Sequence, residues 1–322
     1  MTPVGVIRNP RSQRNRRRCS DVLTPGGRAL LIAEPASPAA LAQALSDFAA
    51  AGVEHLVVDG GDGTLREVLT RLPAVFGARL PSVSLIASGN ANLAAADVGA
   101  FRHGAHALGQ LLATLDAATS ARRSTRQVIE ARWPDGSHPP VFGFFIGGAG
   151  YRRGWQLAHR ELIANGIFHR WAVAGALIRA AWQILTGKRN SVWQRGSPMT
   201  LSVDGAPPRT GARFIFLATG LHSLMLGLWP FWNPSGLLDR PGRLHWLDIA
   251  APAPRFGAAL WALLHGRPKP WMLDGDAYRS GDAQSVLITM SEDLIIDGEA
   301  YAPDSQGQIE LRSGPAFTFL AP

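Results

Sequence analysis

The sequence predicts two domains of different architecture: an α/β nucleotide-binding type of domain with a parallel sheet over residues 1–125, and an antiparallel β-rich domain, a sandwich, over residues 126–322. Three observations carry this reading. Up to about Arg126, strand-like apolar runs alternate with helical patterns, the order that builds βαβ units. Beyond it, short apolar runs follow one another with mostly Gly, Pro, Asp and Ser between them, as antiparallel β-structure requires. Finally, 322 residues of which 46% are hydrophobic suffice for two cores. The last residues, from about 308 on, are allowed to return to the first domain.

The first domain reads in order as follows. "VGVIRNP" (Val4–Pro10) is a strand stopped by Asn-Pro, and "RALLIAEP" (Arg28–Pro35) is a second. "PAALAQALSDFAAAG" (Pro38–Gly52) has a helical pattern with Pro at its start and Gly at its end. "HLVVDGGDGT" is a third strand and its turn, "TLREVLTRL" (Thr64–Leu72) the helix that follows, and "PSVSLIASGN" (Pro81–Asn90) a fourth strand. In such sheets ligands lie outside the carboxyl ends of the strands. The second domain holds the runs "TRQVIEARW", "PVFGFFIG", "MTLSVDG", "ARFIFLATG", "RLHWLDIAA", "SVLITM", "LIIDGEA" and "QIELRSG", interrupted by helical inserts at Arg152–Gly187 and Pro254–His265.

Composition narrows the function. The formal net charge of +8 comes from arginine and favours anionic partners: phosphates, nucleic acid or an anionic membrane surface. No nucleic-acid-binding motif accompanies it, so nucleic acid is not expected as a partner. A single cysteine, Cys19, excludes an intrachain disulfide and a cysteine-based zinc site. No apolar h-region follows Arg14–Arg18, so no secretory signal is read. The longest apolar stretch, Trp171–Gly187, is interrupted by Arg179 and is shorter than the roughly 20 residues that span a bilayer. The expectation is a cytoplasmic protein, peripheral at most at the inner membrane face, for which a homodimer is allowed. The nine histidines show no helical metal-binding spacing.

The turn Gly60-Gly61-Asp62-Gly63-Thr64 puts free backbone N–H groups and a positive helix end into one small volume after a strand. That is an anion site, most naturally for phosphate. Glycine permits close backbone approach, and Thr64 is placed to cap the helix or to donate to a phosphate. Asp62 cannot face a phosphate directly; it either binds a phosphate-bridging Mg²⁺ or orients backbone and hydroxyl groups. A tight strand-to-helix turn alone would also use Gly and Asp.

The pentad with its following "LREV" resembles the signature of the diacylglycerol kinase catalytic domain family, which includes sphingosine, ceramide and bacterial lipid kinases and is similar in fold to NAD kinases. Three further stretches agree in order: "IRNPRSQ" (Ile7–Gln13), "SGNANLAAADVG" (Ser88–Gly99) and "IIDGEAYAP" (Ile295–Pro303). The resemblance implies ATP and Mg²⁺ as cofactors and a lipid alcohol as acceptor. It implies a nucleotide site at Asn9, Pro10, Arg11, Ser12, the Gly60–Thr64 turn, Gly89 and Asn92. Asp62, and Asp239 in "NPSGLLDRPG", are the metal candidates. Glu299 is implied as proton acceptor, with Asp297 beside it. The chain departs from the pattern where Gln13 and arginines follow Ser12, at Arg66 and at Asn90. Three readings therefore stand: an active lipid kinase, a nucleotide- or lipid-binding pseudokinase, and an NAD-kinase-like transfer to a soluble acceptor.

Asp297 and Glu299 lie two apart in a strand-like segment, which predicts side chains on one face. Asp-Gly is also a favoured two-residue hairpin turn, and "LSVDGAPP" (Leu201–Pro208) offers an internal comparison, with Asp204-Gly205 but no acid two positions on. Two apolar, tryptophan-bearing stretches, Gly166–Asn190 and Leu224–Pro234, are candidates for meeting a membrane. Core packing is expected for the first and a membrane- or substrate-facing loop for Trp229–Trp232.

Overall fold

The computed structural model describes residues 2–12, 15, 29–89, 91–104, 106–116, 121–157, 195–224, 227–232 and 242–322. Its contacts divide into two compact units: residues 1–126 with 315–322, and residues 127–314.

The first unit is a parallel α/β layer. Strands β1 (Val4–Arg8), β2 (Leu30–Ala33), β3 (His55–Gly60) and β4 (Ser82–Ala87) alternate with helices α1 (Pro38–Ala50), α2 (Asp62–Phe76), α3 (Leu93–Val98) and α4 (Ala107–Asp116). β3 pairs with β1 and β4, and β1 also pairs with β2, always in parallel. The far side of β4 takes up Phe319 opposite Val83, from the end of the last strand, β15 (Gln308–Ala321). Ser84 Oγ donates to the Leu320 carbonyl there, 2.6 Å away. β1 and β3 have almost uninterrupted apolar, buried sequences, as strands covered on both faces must. Val4, Val6, Val57, Ile86 and Phe101 pack with Leu108 and Leu111 of α4. Ser37 caps α1 by accepting from Ala40 N, with Pro38 at the first helical position.

The second unit is antiparallel. Its strands are β6 (Val141–Gly143), β7 (Phe145–Ala149), β8 (Ser197–Val203), β9 (Arg209–Thr219), β10 (Leu244–Ala250), β11 (Tyr278–Ala283), β12 (Ser285–Met290), β13 (Leu294–Ile296) and β14 (Glu299–Tyr301). The order β14-β13-β7-β9-β8-β12 continues to the first half of β15, while β10 joins β9 to β11. β5 (Arg122–Arg132) carries the chain from the first unit into the second. Helix α5 (Gly150–Leu157) follows β7, and α6 (Phe256–Leu264) and α7 (Pro270–Leu273) lie between β10 and β11. The core holds Ile129, Ile146, Phe216, Val286, Ile288 and Leu311. Among the described residues no helix is long and apolar enough to cross a membrane.

The aromatic stretch near Trp229 corrects an expectation. Phe231 is 1% and Trp232 6% exposed and Trp229 and Pro230 are half-buried, so the segment packs into the unit rather than facing a membrane. Pro230 prevents regular structure without preventing burial, because neighbours satisfy the backbone: Trp229 N donates to the Leu264 carbonyl and Trp232 N to Ser280 Oγ. The Gly166–Asn190 stretch lies outside the described residues.

Candidate functional site

Three turns of the first unit leave the carboxyl edge of its sheet side by side. The register sets Arg8 opposite Asp59 and Gly60 opposite Ala87, so Asn9, Gly61 and Ser88–Gly89 each follow a strand that ends at the same level. Asn9 N donates to the Asp59 carbonyl, and Ser88 N to the Gly60 carbonyl. The Asn9 side chain then spans the edge. Its Nδ2 donates to Thr64 Oγ1 at 2.9 Å and its Oδ1 accepts from Arg11 N at 2.9 Å. Ser12, buried, donates through Oγ to the Asn9 carbonyl. Pro10 and Arg11 are exposed.

The glycines serve close approach rather than unusual backbone angles. A Cβ on Gly89 would stand 2.4 Å from Gly61 Cα and 2.8 Å from Asn92 Oδ1, and one on Gly60 would stand 2.7 Å from the Thr64 side chain. Only glycine lets the turn after β3 and the turn after β4 touch backbone to backbone. Gly89→Ala is therefore expected to destabilise the protein by about 1–3 kcal/mol in urea unfolding. Gly104→Ala, where an added Cβ meets nothing within 4 Å, should leave the midpoint nearly unchanged.

Helix α2 begins at Asp62 with Gly61 as its N-cap and no side-chain cap, so Thr64 is not the cap. Its side chain is committed to Asn9 instead. The positive end of α2 thus opens beside the glycines, an arrangement that suits phosphate oxygens. Asp62 turns to α3: Oδ2 accepts from Leu93 N at 3.0 Å and Oδ1 from Ala94 N at 3.2 Å. Burial pushes its carboxyl above the ordinary aspartate range, against the opposing pull of those N–H groups. Of the two roles expected for Asp62, orienting the backbone is the one this geometry displays. Asn92, the residue before α3, is left-handed (φ 52°) and closes a reciprocal pair with Gly89: its Oδ1 accepts from Gly89 N and its Nδ2 donates to the Gly89 carbonyl. Gly60, Gly61, Asp62 and Asn92 border a small cavity.

Beneath these turns lies a group that sequence reasoning missed. Asp59 is 0% exposed. Arg8 Nε donates to its Oδ2 at 3.1 Å, while Asn15 Nδ2 and Ser88 Oγ donate to its Oδ1. Asn15 also donates to the Asn9 carbonyl, and its Oδ1 lies 3.0 Å from His103 Nε2. One buried carboxylate therefore joins the chain after β1, the end of β3 and the turn after β4. The available signal was an acid at a fully buried strand position, which needs several donors.

In the second unit, Asp297 and Gly298 form a two-residue hairpin turn between β13 and β14, with Ile296 opposite Glu299. Their φ values are 45° and 83°, the positive pair that a type I′ turn demands. The period-two rule fails at this turn, so the two acids do not simply share a strand face. Asp297 reaches back to β7: its oxygens accept from Phe144 N and Phe145 N at 2.9–3.2 Å. Glu299 is exposed. Asp204-Gly205 is the same kind of turn (φ 49° and 72°), with its carboxylate accepting from Gln284 N and Ser285 N. The two Asp-Gly turns share the positive φ pair and a carboxylate bound to backbone N–H groups; Asp204 also pairs with Arg243, and its turn has no acid two positions on.

Asp239 lies outside the described residues. Among the described residues no three His, Cys, Asp or Glu side chains gather into a group that would hold a metal.

Fold and site together define a protein whose first unit brings two glycine turns and an uncapped helix start to the carboxyl edge of a parallel sheet. Residues 3–121 match the family model of the diacylglycerol kinase catalytic domain. No curated protein matches the chain. Among solved structures, the chain is similar to "a putative diacylglycerol kinase" from Bacillus anthracis str. Sterne, at 17% identity and a TM-score of 0.63, covering 100% of this chain and 97% of that one. A second structure from the same organism, described in the same words, gives 20% identity and a TM-score of 0.61 over the same shares. At these identities the likeness concerns the fold.

Proposed function

We propose that the protein is an ATP-dependent lipid kinase that transfers the γ-phosphate of ATP to the hydroxyl of a diacylglycerol-like or sphingoid lipid. The observation that carries this reading is the contact of Gly61 with Gly89 beside the uncapped start of α2, a cradle that a single Cβ would fill. Its donors are backbone N–H groups and the positive end of a helix, which match the negatively charged oxygens of a nucleotide phosphate.

The first unit holds the nucleotide. Asn9 and Thr64 fix the turns after β1 and β3, Asn92 fixes that after β4, and Asp62 anchors α3. Mg²⁺ bound by the nucleotide's own phosphates would neutralise their charge as it shifts toward the leaving diphosphate. Asp62, with both oxygens engaged by backbone, keeps the cradle in shape around it. In the second unit, Glu299 accepts the proton of the lipid hydroxyl as its oxygen attacks the γ-phosphorus and ADP leaves. Asp297 holds the hairpin that presents Glu299.

Asp62→Asn is expected to weaken Mg-ATP binding or turnover about tenfold or more, at least about 1.4 kcal/mol, because an amide cannot accept through both atoms. Equilibrium binding of a fluorescent ATP analogue and single-turnover transfer would show it; parent-like values in both would remove Asp62 from the site. The kinase reading itself is tested by transfer of labelled γ-phosphate to diacylglycerol, ceramide, sphingoid base, monoacylglycerol and polyprenol, with a soluble nucleotide as a separate acceptor. Tight ATP binding without transfer to any lipid would favour the pseudokinase reading, motivated by the arginines in place of glycines after Ser12. Transfer to the soluble acceptor alone would favour the NAD-kinase-like one.

A further inference from the structure

The antiparallel neighbours β10 and β11 pair from Leu244↔Ala283 to Ile249↔Tyr278, yet the chain between them runs through residues 251–277 and two helices. Hairpin connections are ordinarily a few residues long, so an excursion of this length calls for a purpose. Its first helix, α6, reads "FGAALWALL" and contains no polar or charged residue. Such a sequence normally belongs to a helix buried all round. Here only Ala259, Ala262 and Leu263 are buried, and Trp261 is 72% exposed. Leu273, the last residue of α7, is 53% exposed. Among the described residues the only other exposed large apolar side chain is Ile32, in the first unit.

The excursion is firmly seated on the second unit. Tyr278 Oη donates to the Pro254 carbonyl at 2.7 Å, and Trp229 N to the Leu264 carbonyl at 2.9 Å. Phe256 packs against Phe214 with its ring tilted, and a Cβ on Gly266 would stand 2.4 Å from the Phe231 carbonyl oxygen. Trp261 is therefore held outward by a well-packed inner face, with His265 against its ring at 4.2 Å.

Charge is placed at the helix ends. Arg255 precedes α6, and Arg267 and Lys269 separate it from α7; all three are exposed. No carboxylate among the described residues lies within ion-pair distance of them, and Arg255 lies over the Trp271 ring at 5.6 Å. Two acids follow α7: Asp276 is taken by Arg209 at 2.7 Å, and Asp274, the exposed C-cap, leaves the three cations in excess. Exposed Trp and Leu flanked by unneutralised cations complement an anionic bilayer, whose surface attracts the cations and whose headgroup boundary accepts the apolar side chains.

We propose that Trp261 and Leu273, with Arg255, Arg267 and Lys269 around them, form the surface by which this protein docks on an anionic lipid bilayer. The proposal deepens the lipid-kinase reading by locating membrane contact, but its test requires no phosphoryl transfer. The full chain is floated, without nucleotide, with phosphatidylcholine vesicles that do or do not contain phosphatidylglycerol. Binding is expected to the anionic vesicles at low salt and to fall as ionic strength rises. Trp261→Ser with Leu273→Ser should lower that partition about tenfold or more, Arg267→Glu with Lys269→Glu should remove most of its salt dependence, and Ile32→Ser should leave it unchanged. Brominated acyl chains should quench the parent's tryptophan fluorescence, and the conservative Trp261→Phe should lose most of that quenching while still binding. Parent-like binding by the double serine variant, or no preference for anionic vesicles, overturns the proposal. So does a sedimentation mass showing a dimer that Trp261→Ser converts to monomer, which would give this face to a second copy of the chain. Transfer to a short-chain, water-dispersed diacylglycerol is measured separately and fails or holds independently of vesicle binding.

Discussion

Glu299→Gln is expected to lower lipid phosphorylation about 10²–10⁴-fold while leaving ATP affinity close to that of the parent, since a general base acts in the transition state and adds little to ground-state binding. The substitution keeps the size and the backbone of β14 and removes only the basic oxygen. Because Glu299 is exposed, its replacement should not disturb folding, and an unchanged unfolding midpoint would confirm that the loss is chemical. Asp204→Asn serves as the rate control. It alters a turn of the same type, whose carboxylate binds the backbone of Gln284 and Ser285, so any effect should appear in stability and not in transfer. Full activity in Glu299→Gln would reduce Asp297-Gly298-Glu299 to a hairpin and send the search for a base elsewhere, first to Asp62.

The second large effect concerns folding. Asp59→Ala should destabilise the first unit by about 3–5 kcal/mol, the usual consequence of removing one partner from a buried ion pair. Arg8, Asn15 and Ser88 all direct donors at the lost carboxylate; Arg8 is partly exposed and keeps Glu34, but buried Asn15 and Ser88 cannot regain water without opening the turns. Urea unfolding gives the magnitude. Asp59→Asn, which retains one acceptor, should lie between Ala and the parent. A loss under about 1 kcal/mol for the Ala variant would mean that the turns are held by their backbone bonds alone. Nucleotide affinity should fall with stability here, because the hub sets the position of Asn9.

Local patterns made most of the architecture legible. The strand-to-helix alternation, the Ser37-Pro38 helix start and the glycine turns of the first unit are short-range signals, and they appear where the residue types put them. What escaped was non-local. Thr64 looked like a helix cap because its partner, Asn9, is 55 residues away. Asp59 drew no notice because its donors come from three separate segments. Asp297 was read by strand periodicity, which a left-handed turn residue does not obey. Trp229–Trp232 was read as outward-facing because prolines rule out regular structure, although an irregular segment can be buried when its N–H groups find partners. The exposed Trp261 escaped for the opposite reason: an entirely apolar helix gives no hint of which face stays outside.

The last strand gives the chain an order of assembly. Residues 315–322 belong to the first unit, where Phe319 lies beside Val83 and Leu320 receives the Ser84 hydroxyl bond. A ribosome delivers these residues only after all of 127–314. Until then the edge of β4 around Val83 lacks its final neighbour, and an open strand edge invites pairing with other chains. The second unit must therefore be synthesised before the first can close, so the unit that carries the glycine turns is the last to become whole.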